Sequence, residues 1–352
     1  MKKNKLIGLT AVVLVVLSII GYYSHFYNSN QEIPETKTAT PEKKETIVWY
    51  TSVPIDTAEK IANAFELKYS NISVEIIRNS TFEISQMIYD EIEQENVKAD
   101  VLHVADIGIF VDLKNKRYLM EYYSDEYTYY PSQYKDEGYW AAMRVFAIGM
   151  AYDADRIKNP PQHWSDLLDS KWYGKIVLKD IRTAGSQYGE YYLLRELLGK
   201  EFWEKLSDQK PRIHKTYGEC AKALLEGDAE IAMEFSAYNV YNYSVKKGTA
   251  IRGVYPSEGV PMIPCPIAIL KDAPHPNTAK LFLDFALSLE GQEIFQRLSG
   301  AYSVRYGVEP LQGKPLLSDL NQLTPESWER YLAEREALVT EFCNLFDYPE
   351  ET

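Results

Sequence analysis

Residues 47–83 read IVWYTSVPIDTAEKIANAFELKYSNISVEIIRNSTFE, and this stretch holds the same unit twice. A strand, Ile47 to Tyr50, empties into Thr51 and Ser52, and a helix opens at Asp56 with Glu59 as its capping partner. A second strand, Ile72 to Arg78, meets Asn79, Ser80 and Thr81, where Ser80 and Glu83 form the next capping box. Between them Ala58, Ile61, Ala62, Phe65 and Tyr69 make one apolar stripe at helical spacing. A helix N-terminus carries four unpaired N–H groups and about half a positive charge. Strands that deliver hydroxyls to such termini therefore outline a ligand pocket that favours an anion.

The pattern continues in both composition and order. A helix over about 82–95 and a strand DVLHVA at 100–105 complete β-α-β-α-β, which argues for a parallel sheet with its ligand at the carboxyl ends of the strands. After a tyrosine-rich stretch, RVFAIGMAY leads into a second set: strand KIVLKD, the loop Ile181 to Ser186, and a long helix to about Leu198. A helix at 217–226, boxed by Thr216 and Glu219, precedes strand AEIAMEF at 229–235 and the turn Ser236 to Asn239. The run PIAIL and the helix NTAKLFLDFALS return to the first set, and SWERYLAEREALVTEFCNLF reads as one terminal helix packed on the body.

At 352 residues and 45% hydrophobic content the chain can bury two ordinary cores, so two lobes are expected. Lys2, Lys3 and Lys5 precede a charge-free run from Leu6 to Tyr23, the minimal length of a membrane span. Residues 1–27 are expected to be an N-terminal membrane anchor, or a signal sequence if cleaved, with the following domain outside the cell. Residues 28–45 form a polar tether. Cys220, Cys265 and Cys343 show no C-x-x-C spacing, so neither a zinc cage nor a disulfide framework is indicated, although a single bridge is left open. A net charge of −13 excludes tracts of nucleic-acid phosphate as partner.

The segments WYTSVP, FELKYSNISVEIIRNSTFE, KADVLHVAD, WSDLLDSKWYGKIVLKD and AKLFLDFALSLEGQEIFQRLSG together resemble the extracytoplasmic solute-binding proteins of the ferric-iron and phosphorylated-solute ABC transporter group. That group includes anchored sensors of hexose phosphate. The resemblance implies an α/β type 2 periplasmic binding protein fold, with two α/β lobes, a hinge and an interlobe cleft. Lobe 1 would span 46–148 plus 264–314, and lobe 2 would span 149–263 plus 315–352. The cleft would then collect Thr51, Ser52, Asn79, Ser80, Asp106, Arg182, Thr183, Gly185, Ser186, Glu234, Ser236 and Tyr238.

Relatives that hold ferric iron use a His, a Glu and a Tyr-Tyr pair, and the corresponding places here carry Pro54, Ala105 and Ala237-Tyr238. Relatives that hold phosphate esters use hydroxyls and backbone N–H groups, a demand met by Thr51, Ser52, Ser80, Thr183, Gly185 and Ser186. Arg182 could add a bidentate contact, and Glu234 could recognise hydroxyls. Each of these hydroxyls can equally serve as an N-cap, and Asp106 can cap the turn that follows it. The expected ligand is a small phosphorylated solute such as a hexose phosphate, with ferric iron as the alternative. The expected partners are an ABC transporter permease or a membrane histidine kinase, with the protein itself a monomer. No cofactor, metal or catalytic residue is expected. An exported phosphatase or esterase is the reading from another class, and the chain lacks G-x-S-x-G, H-E-x-x-H and Walker patterns.

Overall fold

A computed structural model describes residues 44–182 and 185–348. The expected anchor and nearly all of the tether lie outside them; the tether's last residue, Glu45, already belongs to the first strand. The repeated unit of the opening stretch becomes β1 (Glu45–Thr51), α1 (Ile55–Lys68), β2 (Ile72–Arg78), α2 (Thr81–Glu93), β3 (Val101–His103) and α3 (Ile107–Asn115). After β4 (Lys135–Asp136) and the long β5 (Trp140–Asp153) come β6 (Ile176–Lys179), α4 (Gly185–Asp208), β7 (Arg212–His214), α5 (Tyr217–Glu226), β8 (Ile231–Ser236) and α6 (Ala237–Tyr241). The chain ends through β9 (Ile251–Val254), β10 (Val260–Ile269), α7 (Pro276–Leu287), α8 (Leu289–Ser299), β11 (Gln322–Leu323), α9 (Trp328–Ala333) and α10 (Arg335–Leu345).

Hydrogen bonding links the main strands in the order β2-β1-β3-β10-β5-β8-β6-β7. Within it β1 runs parallel to β2 and β3, and β6 runs parallel to β7 and β8. Two long strands, β5 and β10, pair antiparallel with each other and join these parallel blocks. Almost every residue of β5 and all of β10 are buried, because helices or strands cover both faces. The register of β5 against β10 skips Met143, since Cys265 pairs with Arg144 and Pro266 with Ala142. Such a bulge bends a strand and re-aims the neighbouring side chain, here Arg144.

Three local expectations change. Helix α1 starts at Ile55 with Pro54 as its cap, and the carbonyl of Pro54 accepts from the N–H groups of Thr57 and Ala58, so no Asp56–Glu59 box forms. The long helix continues past Leu198 to Asp208 through a break at Gly199, whose φ of 74° needs no Cβ penalty there. The tail is two helices split at Glu334, with α9 packed on α3 and α10 packed on α4, so it touches both blocks. The boxes of Ser80 with Glu83 and Thr216 with Glu219 are both formed. All three cysteines are buried and unbridged, so the bridge left open by the sequence does not form.

Candidate functional site

Where the carboxyl ends of the two parallel blocks face each other lies a cleft of about 270 Å³. Its hydroxyl groups come from strand ends and helix starts: Ser52 after β1, Ser80 before α2, Ser186 in the first turn of α4, Thr216 before α5 and Ser236 at the end of β8. Ser80 Oγ accepts from Glu83 N at 3.2 Å, and Thr216 Oγ1 from Glu219 N at 3.1 Å. Ser236 Oγ likewise accepts from Asn239 N at 3.3 Å. These oxygens cap helices, and their hydroxyl protons remain available to an acceptor. Ser52 Oγ is buried with no hydrogen-bond partner among the described residues.

Four cations join the hydroxyls. Arg78 at the end of β2 and Lys215 before α5 are exposed at the mouth, whereas Arg144 on β5 and Lys179 at the end of β6 are 3% and 4% exposed on the floor. Arg144 Nε and Lys179 Nζ are buried without a hydrogen-bond partner among the described residues. The guanidinium of Arg144 lies 4.9 Å from the Phe146 ring centre, and Lys179 Nζ lies 5.0 Å from that of Tyr217. Burial pushes the Lys179 ammonium below its ordinary range, because an ion without water is disfavoured. Among the described residues no carboxylate lines this cleft. Buried cations with open donor positions suit a compact anion that brings its own acceptors.

The sequence-derived candidates divide between places. Ser52, Ser80, Ser186, Ser236 and Tyr238 line the cleft, with the Tyr238 ring 5.5 Å from Phe146 as an aromatic wall. Asp106, Arg182 and Gly185 line a second cavity of about 300 Å³ beside it. There Asp106 caps α3, accepting from Gly108 N at 2.9 Å, and pairs with Arg335 Nη1 at 2.5 Å. Arg182 grips Asp180 with Nε at 3.0 Å and Nη2 at 3.1 Å, and its guanidinium stacks on Tyr348. Thr51 is fully buried and accepts from Val53 N, which fixes the turn after β1. Asn79 donates to Met87 Sδ. Glu234 is fully buried below the cleft rather than on its wall, bonded to Gln187. Thr183 lies outside the described residues.

At Gly185 two helix starts approach each other closely. A Cβ placed there would come within 2.2 Å of Asp106 Cβ, so the start of α4 meets the cap of α3. Gly185→Ala is expected to lower stability by about 1–3 kcal/mol through overpacking, read from urea unfolding. Unchanged stability would show that the two helix starts separate freely.

Arg78, Lys179 and Lys215 are residues the sequence reading passed over, and in Arg144 it sees a residue that could as easily pair with an acidic neighbour. Arg78 and Lys179 carry a signal in hindsight, since each is the last residue of a parallel strand and such ends face the ligand edge. Arg144 carries none, because its placement depends on the Met143 bulge.

Residues 96–329 match the family described as bacterial extracellular solute-binding protein. The chain belongs to this family. The fold of this solute-binding protein is the type 2 α/β periplasmic binding protein fold, and the family binds solutes rather than transforming them. The solute-binding protein superimposes with a TM-score of 0.76 on the periplasmic binding protein AfuA from Actinobacillus pleuropneumoniae, determined with fructose-6-phosphate bound. Identity to AfuA is 24%, over 87% of this chain and 100% of that one. Iron-bound HitA from Pseudomonas aeruginosa aligns with a TM-score of 0.74 at 23% identity, over 85% and 99% of the two chains. The thiamine-binding periplasmic protein of Salmonella typhimurium is 23% identical over 263 residues, 71% of this chain and 77% of that protein. Three ligand chemistries thus occur among relatives at comparable distance, and the choice among them rests on the lining of the cleft.

Proposed function

We propose that this protein captures a small phosphorylated solute, a hexose phosphate or an ester of similar size, outside the cell and presents it to an ABC transporter. The observation that carries this reading is the convergence of Arg78, Arg144, Lys179 and Lys215 with unpaired Ser52 on one cleft without a lining carboxylate among the described residues. A phosphate dianion satisfies these donors, and each charge-assisted hydrogen bond is worth about 1.5–3 kcal/mol. The same four cations repel Fe(III) and the thiamine cation, and Pro54, Ala105 and Ala237 offer no oxygen ligand from their side chains. The volume lies near the lower end of the ~300–1,000 Å³ range of ligand pockets, which suits a solute of one sugar.

Solute exchange needs the two blocks to part, and β5 and β10 are the strands about which lobes 46–148 plus 264–314 and 149–263 plus 315–352 would hinge. The lysine-led apolar run over residues 6–23 favours an anchored sensor reporting to a histidine kinase as a second reading within the same binding function. Calorimetry of the full chain in mild detergent tests the solute class. Fructose 6-phosphate or another member of a hexose phosphate and glycerol phosphate panel is expected to bind, more weakly as salt is raised, while free fructose gives no heat. Heat with Fe(III) citrate or thiamine and with no ester would overturn the reading.

A further inference from the structure

Beneath Lys179 lie two carboxyl groups that do not line the cleft: Glu190 from α4 and Glu234 near the end of β8, both without solvent exposure. Tyr217 OH donates to Glu190 Oε1 at 2.6 Å, and Gln187 Nε2 donates to Glu234 Oε2 at 2.5 Å. Tyr217 itself lines the cleft, so Glu190 stands one hydrogen bond behind the wall. Glu234 lies in the same buried cluster, held by Gln187 of the helix that carries Glu190. Glu190 Oε2 and Glu234 Oε1 have no hydrogen-bond partner among the described residues, and neither does Lys179 Nζ. Glu234 also sits in the left-handed region at φ 57°, a strain that persists in non-glycine residues where surrounding structure enforces it, often at functional sites.

We propose that Glu190 and Glu234 form a proton store under the anion site, so that capture of the solute is accompanied by uptake of a proton. This rests on the reading of the cleft as a phosphate site. Burial holds the Glu234 carboxyl well above the usual carboxylate range and pushes that of Glu190 up to about 8, while it pulls the Lys179 ammonium down. The other groups facing the pair are Tyr217 and Cys220 from α5, Tyr191 from α4, Tyr331 from α9 and Cys265 from β10. Burial pushes all of these upward, the two thiols to about 12 and about 11, so none of them competes with Glu190 for a proton near its value of about 8.

A dianion docked beside Lys179 disfavours a negative charge on Glu190 and favours a positive one on Lys179. Both changes draw a proton from solvent onto a Glu190 oxygen or Lys179 Nζ, and no bond of the solute is altered. Because the bound state raises the pKa of these groups, affinity is complete below the Glu190 value of about 8 and declines as pH rises through it.

Calorimetry of the full chain with fructose 6-phosphate at about pH 8.5, in two buffers of different ionisation enthalpy, tests this. The ester is a dianion throughout at that pH and contributes no proton of its own, its second pKa being about 6. The expected result is uptake of a fraction of a proton per solute, a Kd several-fold weaker at pH 9 than at pH 7, and reduced uptake in Glu190→Gln. Equal heats in the two buffers would overturn the proposal while leaving the phosphate site intact. Undiminished uptake in both Glu190→Gln and Glu234→Gln would also overturn it. Absence of heat with every ester would instead remove the phosphate reading, and the proton store with it.

Discussion

Arg144→Met is expected to weaken fructose 6-phosphate binding by roughly 10- to 150-fold, the equivalent of about 1.5–3 kcal/mol, while the solute-free protein becomes no less stable. Opposite directions in the two measurements follow from the environment. Arg144 is 3% exposed, its Nε lacks a hydrogen-bond partner among the described residues, and its guanidinium lies on the Phe146 ring. A buried charge of this kind costs desolvation in the empty protein, and a methionine of similar length keeps the packing without that cost. Lys179→Met is expected to act in the same direction, since Lys179 Nζ is likewise buried with an open donor. Calorimetry and thermal unfolding on the same preparations check both statements. Loss of stability in step with affinity would mark Arg144 as a structural residue of the β5 bulge.

Tyr331→Ala is expected to produce the largest loss of stability, about 3–5 kcal/mol, the range seen when a buried large aromatic is truncated. Tyr331 is 1% exposed, its ring lies 4.7 Å from Tyr188 and 5.1 Å from Tyr192, and its carbonyl accepts from Tyr188 OH at 2.5 Å. Four residues on, Arg335 reaches Asp106 at the start of α3, and Glu341 on α10 holds Arg195 of α4 at 2.7 Å. The tail therefore ties α3 to α4, and its loss should weaken solute binding as well as folding. Tyr331→Phe supplies the control. Tyr331 OH is buried without a partner among the described residues, so removing it should leave stability unchanged or raised. A large loss in Tyr331→Phe would show that the hydroxyl is bonded after all.

Local chemistry made much of this legible before any coordinates. Strand β2 and helix α5 fall on the residues read from the sequence, and the boxes at Ser80 and Thr216 form because each needs only a side chain and a backbone group three residues apart. The same local reasoning misjudged Asp56, since Pro54 already presents a carbonyl to the helix and starts it one residue earlier. What stayed hidden depends on distant contacts. Asp106 and Gly185 are 79 positions apart, and only their meeting in space turns the glycine into a packing requirement. Arg144 reads as an ordinary strand residue until the skip at Met143 turns it toward the cleft, and Glu234 reads as a rim carboxylate until every residue of β8 proves buried.

The three thiols have a practical consequence. Because Cys220, Cys265 and Cys343 are the whole complement of cysteine and all are buried and unbridged, the native surface is silent to maleimide dyes and assembly requires no oxidant. A single cysteine placed at Phe82, exposed in the first turn of α2 on the second cavity beside the cleft, would carry the only attached dye and make the protein a reagentless optical reporter of its own solute.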